Sequence, residues 1–169
     1  MTTFRAEQIG DETAVRVLNE QAFGQPNEAN IVDALRERGA VVLSMVATDN
    51  DKLVGHVLFT EAIVTDAHSP FRALGLGPMA VLPSYQRRGI GSSLLRGALD
   101  ECRELEYDAV VVIGHPEFYP RFGFGPAKLK GIRCEFDVPD DAFMVLELRE
   151  DALAGRTGVV KYQPEFLEI

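Results

Sequence analysis

The stretch Val81-Leu82-Pro83-Ser84-Tyr85-Gln86-Arg87-Arg88-Gly89-Ile90-Gly91-Ser92-Ser93-Leu94-Leu95 gathers the residues best suited to receive an anion. An apolar strand-like run stops at a proline, and a short basic, glycine-containing loop leads directly into an amphipathic helical pattern. The first turn of a helix leaves N–H groups without intrahelical partners, and with the N–H groups of such a loop they form a cradle for a phosphate or pyrophosphate. Glycine permits close approach and the left-handed conformations that a cradle requires. Arg87 and Arg88 add positive charge, and Ser92 offers a hydroxyl. A glycine-capped turn before a surface helix would use the same residues with no ligand.

Glu61, at the end of a strand-like run, could act as a general base or an amine anchor, although a carboxylate at a strand end is usually just solvated. His115 directly follows a short apolar run and is better placed for catalysis than His56, which alternates with apolar neighbours, or His68, in a loop. None of the three has a serine or cysteine partner in a hydrolase motif. Tyr119 sits among Phe118, Phe122 and Phe124, where an aromatic can pack against a sheet with its hydroxyl at the surface. Cys102 falls on the apolar face of a helix and reads as core, and Cys134 lacks metal-ligand spacing. Gly75-Leu76-Gly77-Pro78-Met79-Ala80 fits G-x-G-x-x-A, but a dinucleotide fingerprint must open a helix, and Val81-Leu82-Pro83 follows instead. No P-loop and no H-E-x-x-H motif occurs, so neither a P-loop nor a zincin reading has support.

These residues need elements to hold them. Asp11 can cap a helix over 12–22 with Val15, Leu18 and Ala22 at helical spacing, and Asn27 or Asn30 can open a second one stopped by Gly39. Residues 40–47 and 52–64 read as a hairpin around Thr48-Asp49-Asn50-Asp51, with a loop over 65–72. Residues 73–81 form a strand made irregular by Gly75, Gly77 and Pro78. A helix over 91–106 follows, then a buried strand over 108–113 and a single turn bracketed by Pro116 and Pro120. Strands are expected at 131–136 and 143–148, and an edge strand within 158–169. The order β, α, α, strand meander, β-α-β and further strands gives an α/β or α+β sheet with helices on its faces.

Composition narrows the function. The chain has 169 residues, enough for one domain and too few for two full enzyme domains. Its 17 basic and 26 acidic residues leave a net charge of −9, which argues against a sequence-independent grip on nucleic acid or an anionic membrane. No secretory signal opens the sequence and no apolar run reaches 18 residues, so a soluble protein of the cytosol, with both cysteines reduced, is the expectation.

The run V-x-P-x-x-Q-R-R-G-I-G-x-x-L-L resembles motif A of the GNAT superfamily of acetyl-CoA-dependent N-acetyltransferases, whose Q/R-x-x-G-x-G/A signature Gln86, Gly89 and Gly91 satisfy. His115-Pro116-Glu117-Phe118-Tyr119-Pro120-Arg121-Phe122-Gly123-Phe124 resembles motif B, in which a tyrosine lies four residues before Gly-Phe. The resemblance is strongest over 73–126 and extends to a group of small bacterial GNAT proteins. It implies a single domain over 1–169 with a mixed, mostly antiparallel sheet splayed between its fourth and fifth strands. It also implies that the backbone of Met79, Ala80 and Val81 pairs with the pantetheine arm, and that Gln86, Arg87, Arg88, Gly89, Ile90, Gly91 and Ser92 hold the pyrophosphate of acetyl-CoA. Tyr119 matches the family's general acid, with Glu61 and His115 as further catalytic candidates. It implies, further, that the acceptor is a primary amine of a small molecule, a peptide N-terminus or a protein lysine, that the activated thioester needs no metal, and, since many relatives dimerise, that a homodimer is open. The alternative is a GNAT-fold module that senses acyl-CoA without transferring the acyl group.

Overall fold

In the computed structural model, which describes residues 1–168, apolar spacing and turn chemistry produce the expected elements with a few differences. The chain divides into two units, each built from separated stretches of sequence. The first comprises Met1–Phe59, Gly77–Glu101 and the residues from Pro164 onward, and the second comprises Thr60–Leu76 and Cys102–Gln163.

In the first unit, β1 (Thr2–Ala6) pairs antiparallel with β2 (Val41–Asp49), with Thr2 opposite Asp49 and Ala6 opposite Met45. Between them run α1 (Glu12–Phe23) and α2 (Asn27–Glu37), whose Val15, Ile31, Val32 and Leu35 pack with Val46 and Leu58 in one buried cluster. Asp11 stands at the start of α1 but does not cap it through its side chain. Its carboxylate instead accepts the Gln8 N–H at 2.8 Å and the Arg5 guanidinium at 2.7 Å, a charged partner that outcompetes a helix amide. Neither Asn27 nor Asn30 caps α2: Pro26 occupies the cap position, and Asn27 is the first helical residue. Asn50 and Asp51, both at positive φ, make the tight turn from β2 into β3 (Lys52–His68). Further on, α3 (Ile90–Arg103) buries Leu94, Leu95, Ala98 and Leu99.

The strand β4 (Ala73–Val81) matches its expected bounds, with a cis peptide at Gly77–Pro78. In the second unit its first residues pair parallel with β5 (Ala109–Ile113): Ala73 with Ala109, Leu74 with Val110, Gly75 with Val111. Every residue from Ala109 to Val112 is buried, which accounts for the unbroken apolar run. The pairs β5–β8 and β6–β8 are antiparallel, with β6 at Gly125–Pro126 and β8 at Phe143–Glu147. The strand order β1-β2-β3-β4-β5-β8-β6 gives a mixed, mostly antiparallel sheet, as expected.

The larger differences from the sequence reading lie in β3, in the last strand and at the end of α3. The strand β3 continues past residue 64 to His68 because β9 (Thr157–Lys161) pairs with it, Ile63 opposite Lys161 and His68 opposite Thr157. The strand β9 is not an edge, since β7 (Ile132–Cys134) pairs parallel with its other side; a 3-10 turn follows at Pro164–Glu168, and Ile169 lies outside the described residues. The helix α3 ends at Arg103 rather than at 106, where the Leu105 N–H turns back to the Cys102 carbonyl at 3.1 Å to lead into β5.

Candidate functional site

The motif A residues form one local structure in the first unit. After β4, the Leu82 N–H bonds the Val54 carbonyl at 2.9 Å, and Pro83–Tyr85 makes a 3-10 turn closed by the Tyr85 N–H on Leu82 at 2.8 Å. Arg87 then adopts φ 65° and Gly89 φ 79°, with Arg88 between them outside the positive-φ region. Alternation of hand turns successive N–H groups toward one side, the geometry of an anion-binding nest. The first intrahelical bond of α3 is Ser93 N–H to Gly89 O at 3.0 Å, so the N–H groups of Ile90, Gly91 and Ser92 precede the ladder. Gln86, Arg87, Arg88 and Gly89 are all exposed, while the Ile90 side chain is buried and anchors the turn. A Cβ placed on Gly89 would have no protein atom within 4 Å, so the space beside this amide is open to a ligand. The residues present fit a pyrophosphate.

The end of β4 completes this part of the site. Met79 and Val81 are half-exposed and Ala80 is buried, the alternation of a strand with one open face. A Cβ on Gly91 would lie 3.4 Å from Met79 Cε and 3.5 Å from Val81 Cγ2, so the first turn of α3 sits against these two side chains. Gln86 contributes through its side chain: its amide nitrogen donates to the Val81 carbonyl at 3.0 Å, tying the loop to the strand.

Motif B forms a separate cluster in the second unit. Beyond β5, the His115 carbonyl accepts the N–H groups of Phe118 at 3.1 Å and Tyr119 at 3.4 Å, and Tyr119–Phe122 makes a 3-10 turn. Tyr119 is buried, edge-on to Phe118 at 5.0 Å and to Phe124 at 5.7 Å between ring centroids. Gly114 makes room for it: a Cβ there would lie 2.3 Å from Tyr119 Cε2. Burial pushes the phenol pKa up to about 12, so Tyr119 holds its proton throughout the neutral range. His115 is exposed and lines a surface depression with Pro116, Glu117, Phe118 and Arg121.

The structure brings His115 and Tyr119 into one turn but places Glu61 elsewhere. Its carboxylate is exposed and accepts Arg72 Nη2 at 3.1 Å, and the Arg72 guanidinium stacks on Tyr107 at 4.4 Å. Arg72 and Tyr107 precede β4 and β5, whereas His115 and Tyr119 follow the far end of β5. His56 is buried in the first unit, between Ser44 Oγ at 2.9 Å from Nε2 and the Asn19 amide nitrogen at 3.2 Å from Nδ1. Among the described residues, no group of three or more His, Cys, Asp or Glu could hold a metal. Sequence reasoning missed Tyr85, whose ring has Arg88 at 5.0 Å and Lys52 at 5.7 Å; an aromatic directly before the basic loop was the available signal.

Comparison with known proteins shows the family. A family model described as an acetyltransferase (GNAT) domain matches residues 3–127. The uncharacterized N-acetyltransferase YhbS of Escherichia coli K12 is 36% identical over 157 residues, covering 92% of this chain and 93% of its own. The crystal structure of E. coli YhbS in complex with CoA superposes with a TM-score of 0.92 at 35% identity, covering 98% of this chain and 92% of that one. A GNAT family acetyltransferase from Brucella melitensis in complex with acetyl-CoA gives a TM-score of 0.80 at 30% identity, with 98% of each chain covered.

Proposed function

The chain belongs to the GNAT acetyltransferase family, and from that premise we propose that it transfers the acetyl group of acetyl-CoA to a primary amine. The observation that carries the proposal is the alternating-hand turn Arg87–Gly89 opening α3, with open space at Gly89. In the reaction the amine nitrogen attacks the thioester carbonyl carbon, a tetrahedral oxyanion forms, the C–S bond breaks, and coenzyme A leaves as a thiolate that takes up a proton. An alkylammonium with a pKa near ~10.4 must first lose its proton, at a cost of about 4 to 5 kcal/mol at pH 7. Acetyl-CoA is already activated, so this route requires no metal.

We assign the backbone of Met79, Ala80 and Val81 to the pantetheine arm, and the main-chain N–H groups from Gln86 to Ser92 to the pyrophosphate. Tyr119 is assigned the proton given to the thiolate; its raised pKa, caused by burial, keeps the phenol protonated and ready to donate. His115, in the same turn, is assigned the role of base toward the incoming ammonium. Glu61 is assigned to draw in a cationic amine, since its carboxylate already holds one cation, Arg72. The net charge of −9 favours the approach of such acceptors.

We also propose that 1–169 works as one catalytic domain, because β3 and β4 each run through both units and neither unit is a separable stretch of sequence. Work in the cytosol, with Cys102 and Cys134 as free thiols, and assembly as a homodimer complete the proposal; light scattering on the purified protein tests the latter.

Thermal unfolding with acetyl-CoA, free CoA and NAD tests the cofactor. At a ligand concentration about 100 times Kd, binding adds roughly 2.7 kcal/mol and raises Tm by about 5 to 10 °C. The expected result is a shift with both CoA species and none with NAD, followed by thiol release from acetyl-CoA on an amine panel. No shift at millimolar acetyl-CoA overturns the reading, and tight binding with no turnover on any amine favours the sensor instead.

A further inference from the structure

Most cations of this acidic chain are neutralised by a neighbouring carboxylate: Arg5 by Asp11, Arg36 by Glu7, Arg72 by Glu61, Lys130 by Glu147, Arg156 by Asp108. Lys52, Arg87 and Arg88 are different. All are exposed, and none has a carboxylate within ion-pair distance among the described residues. Two of them are gathered by one ring, Lys52 Nζ lying 5.7 Å and Arg88 Cζ 5.0 Å from the centroid of Tyr85. The ring is held in place by the 3-10 turn Pro83–Tyr85, and the turn is fastened to β3 by Leu82 N–H on the Val54 carbonyl, two residues from Lys52.

We infer that Lys52, Tyr85 and Arg88 form a subsite that reads the 3′-phosphate of coenzyme A. The inference rests on the acetyltransferase reading and extends it to a side chain outside motif A. Coenzyme A carries two kinds of phosphate. Its pyrophosphate diesters suit the short-range N–H groups of the Gly89–Ser92 turn, whereas its 3′-monoester approaches two negative charges at neutral pH and calls for cations. A lysine and an arginine each held near the same aromatic ring lose less freedom on meeting that phosphate than two unrestrained side chains would. Lys52 brings its charge from β3 rather than from the loop, so it can discriminate between coenzyme A species without forming part of the pyrophosphate cradle.

Calorimetric Kd values for CoA and 3′-dephospho-CoA provide the test, with the ratio of the two as the readout. Wild type should bind CoA about tenfold more tightly than 3′-dephospho-CoA, Lys52→Gln should narrow the ratio to about threefold, and Lys52→Arg should restore it. Tyr85→Leu should narrow it as well. Because Lys52 is exposed, an unchanged melting temperature of the unliganded variant verifies the fold. A ratio that stays the same in Lys52→Gln, or two Kd values that rise together, overturns the subsite and leaves the acetyltransferase reading intact. Failure of the wild type to bind either species overturns both.

Discussion

Ser44 and His56 lock each other in place, with the serine Oγ 2.9 Å from His56 Nε2. The other ring nitrogen faces the Asn19 amide nitrogen at 3.2 Å, which also donates to the Val15 carbonyl at 3.0 Å. An amide N–H directed at Nδ1 makes Nδ1 the acceptor and leaves the proton on Nε2, which then donates to Ser44. The serine hydroxyl donates its hydrogen bond to Glu7 at 2.6 Å, and Glu7 also accepts one from Arg36 at 2.6 Å. The constellation has a serine beside a histidine, but the imidazole is the donor in that pair, so it does not serve as a base toward the hydroxyl. The network ties α1, α2, β2 and β3 of the first unit together. It is a device of stability rather than of hydrolysis.

A neutral buried imidazole makes stability depend on pH. Burial lowers the His56 pKa to about 3, from an ordinary value of 6.5. The unfolded chain therefore binds a proton that the folded chain refuses, and the stabilisation, complete above pH 6.5, is lost as pH falls toward 3. At pH 5 the loss attributable to His56 is about 2 kcal/mol at ~1.36 kcal/mol per unit. Urea unfolding at pH 7.5 and pH 5 measures it. His56→Gln should be less stable at pH 7.5 but should lose about 2 kcal/mol less than wild type between the two pH values. Equal losses would show that the imidazole titrates normally in the fold.

Gly114 and Tyr119 set up a second test in the other unit. An alanine methyl at position 114 would meet the tyrosine ring at 2.3 Å, and the ring is confined by Phe118 and Phe124. Gly114→Ala should cost about 1 to 3 kcal/mol of stability through overpacking. It should also lower acetyl transfer by displacing the phenol, while the Kd for CoA, read by calorimetry, stays within about threefold of wild type. A fully active variant would mean that the ring can move without consequence.

The two motif glycines should differ. Gly89 has φ 79° and open space around it, so an alanine there meets a backbone penalty of about 1 kcal/mol and intrudes where the phosphate belongs. Gly91 has no positive φ, and a methyl would meet Met79 and Val81 at ordinary contact distances of 3.4 and 3.5 Å. Gly89→Ala should raise the Kd for CoA about tenfold or more, and Gly91→Ala by less than about threefold. Equal effects would place the pyrophosphate elsewhere on the turn.

Local chemistry made much of this legible. The Asn50-Asp51 turn, the bounds of β4 and the Gln86-to-Ser92 loop each depend on neighbours in sequence, and each lies where the residues imply. Features that depend on distant partners were not legible. The extension of β3 to His68 needs β9 beside it, about ninety residues later in the chain, and the shielding of β9 needs β7. Asp11 reads as a helix cap until Arg5 is seen to claim its carboxylate. Glu61 reads as a solitary carboxylate, yet Arg72 crosses from the start of β4 to engage it. The same limit hid Lys52, whose relation to Tyr85 exists only once the hairpin turn meets the loop after β4.

Tyr119 offers the sharpest mechanistic prediction because its environment is unfavourable to charge. The ring is buried among aromatic side chains, and burial raises the phenol pKa to about 12. A phenol in that state is useless as a base at neutral pH but serves as a donor that is never depleted. Tyr119→Phe should therefore lower kcat by about 100-fold, the lower end of what general acid catalysis contributes, with the Kd for acetyl-CoA unchanged. The wild-type rate should show no loss from Tyr119 ionisation as pH rises to about 10, since the folded phenol ionises roughly two units later. A kcat for Tyr119→Phe equal to wild type would remove the phenol from the reaction. A rise in wild-type rate with pH, centred near pH 8 and absent from the variant, would show that Tyr119 reacts as the phenolate, which its burial opposes.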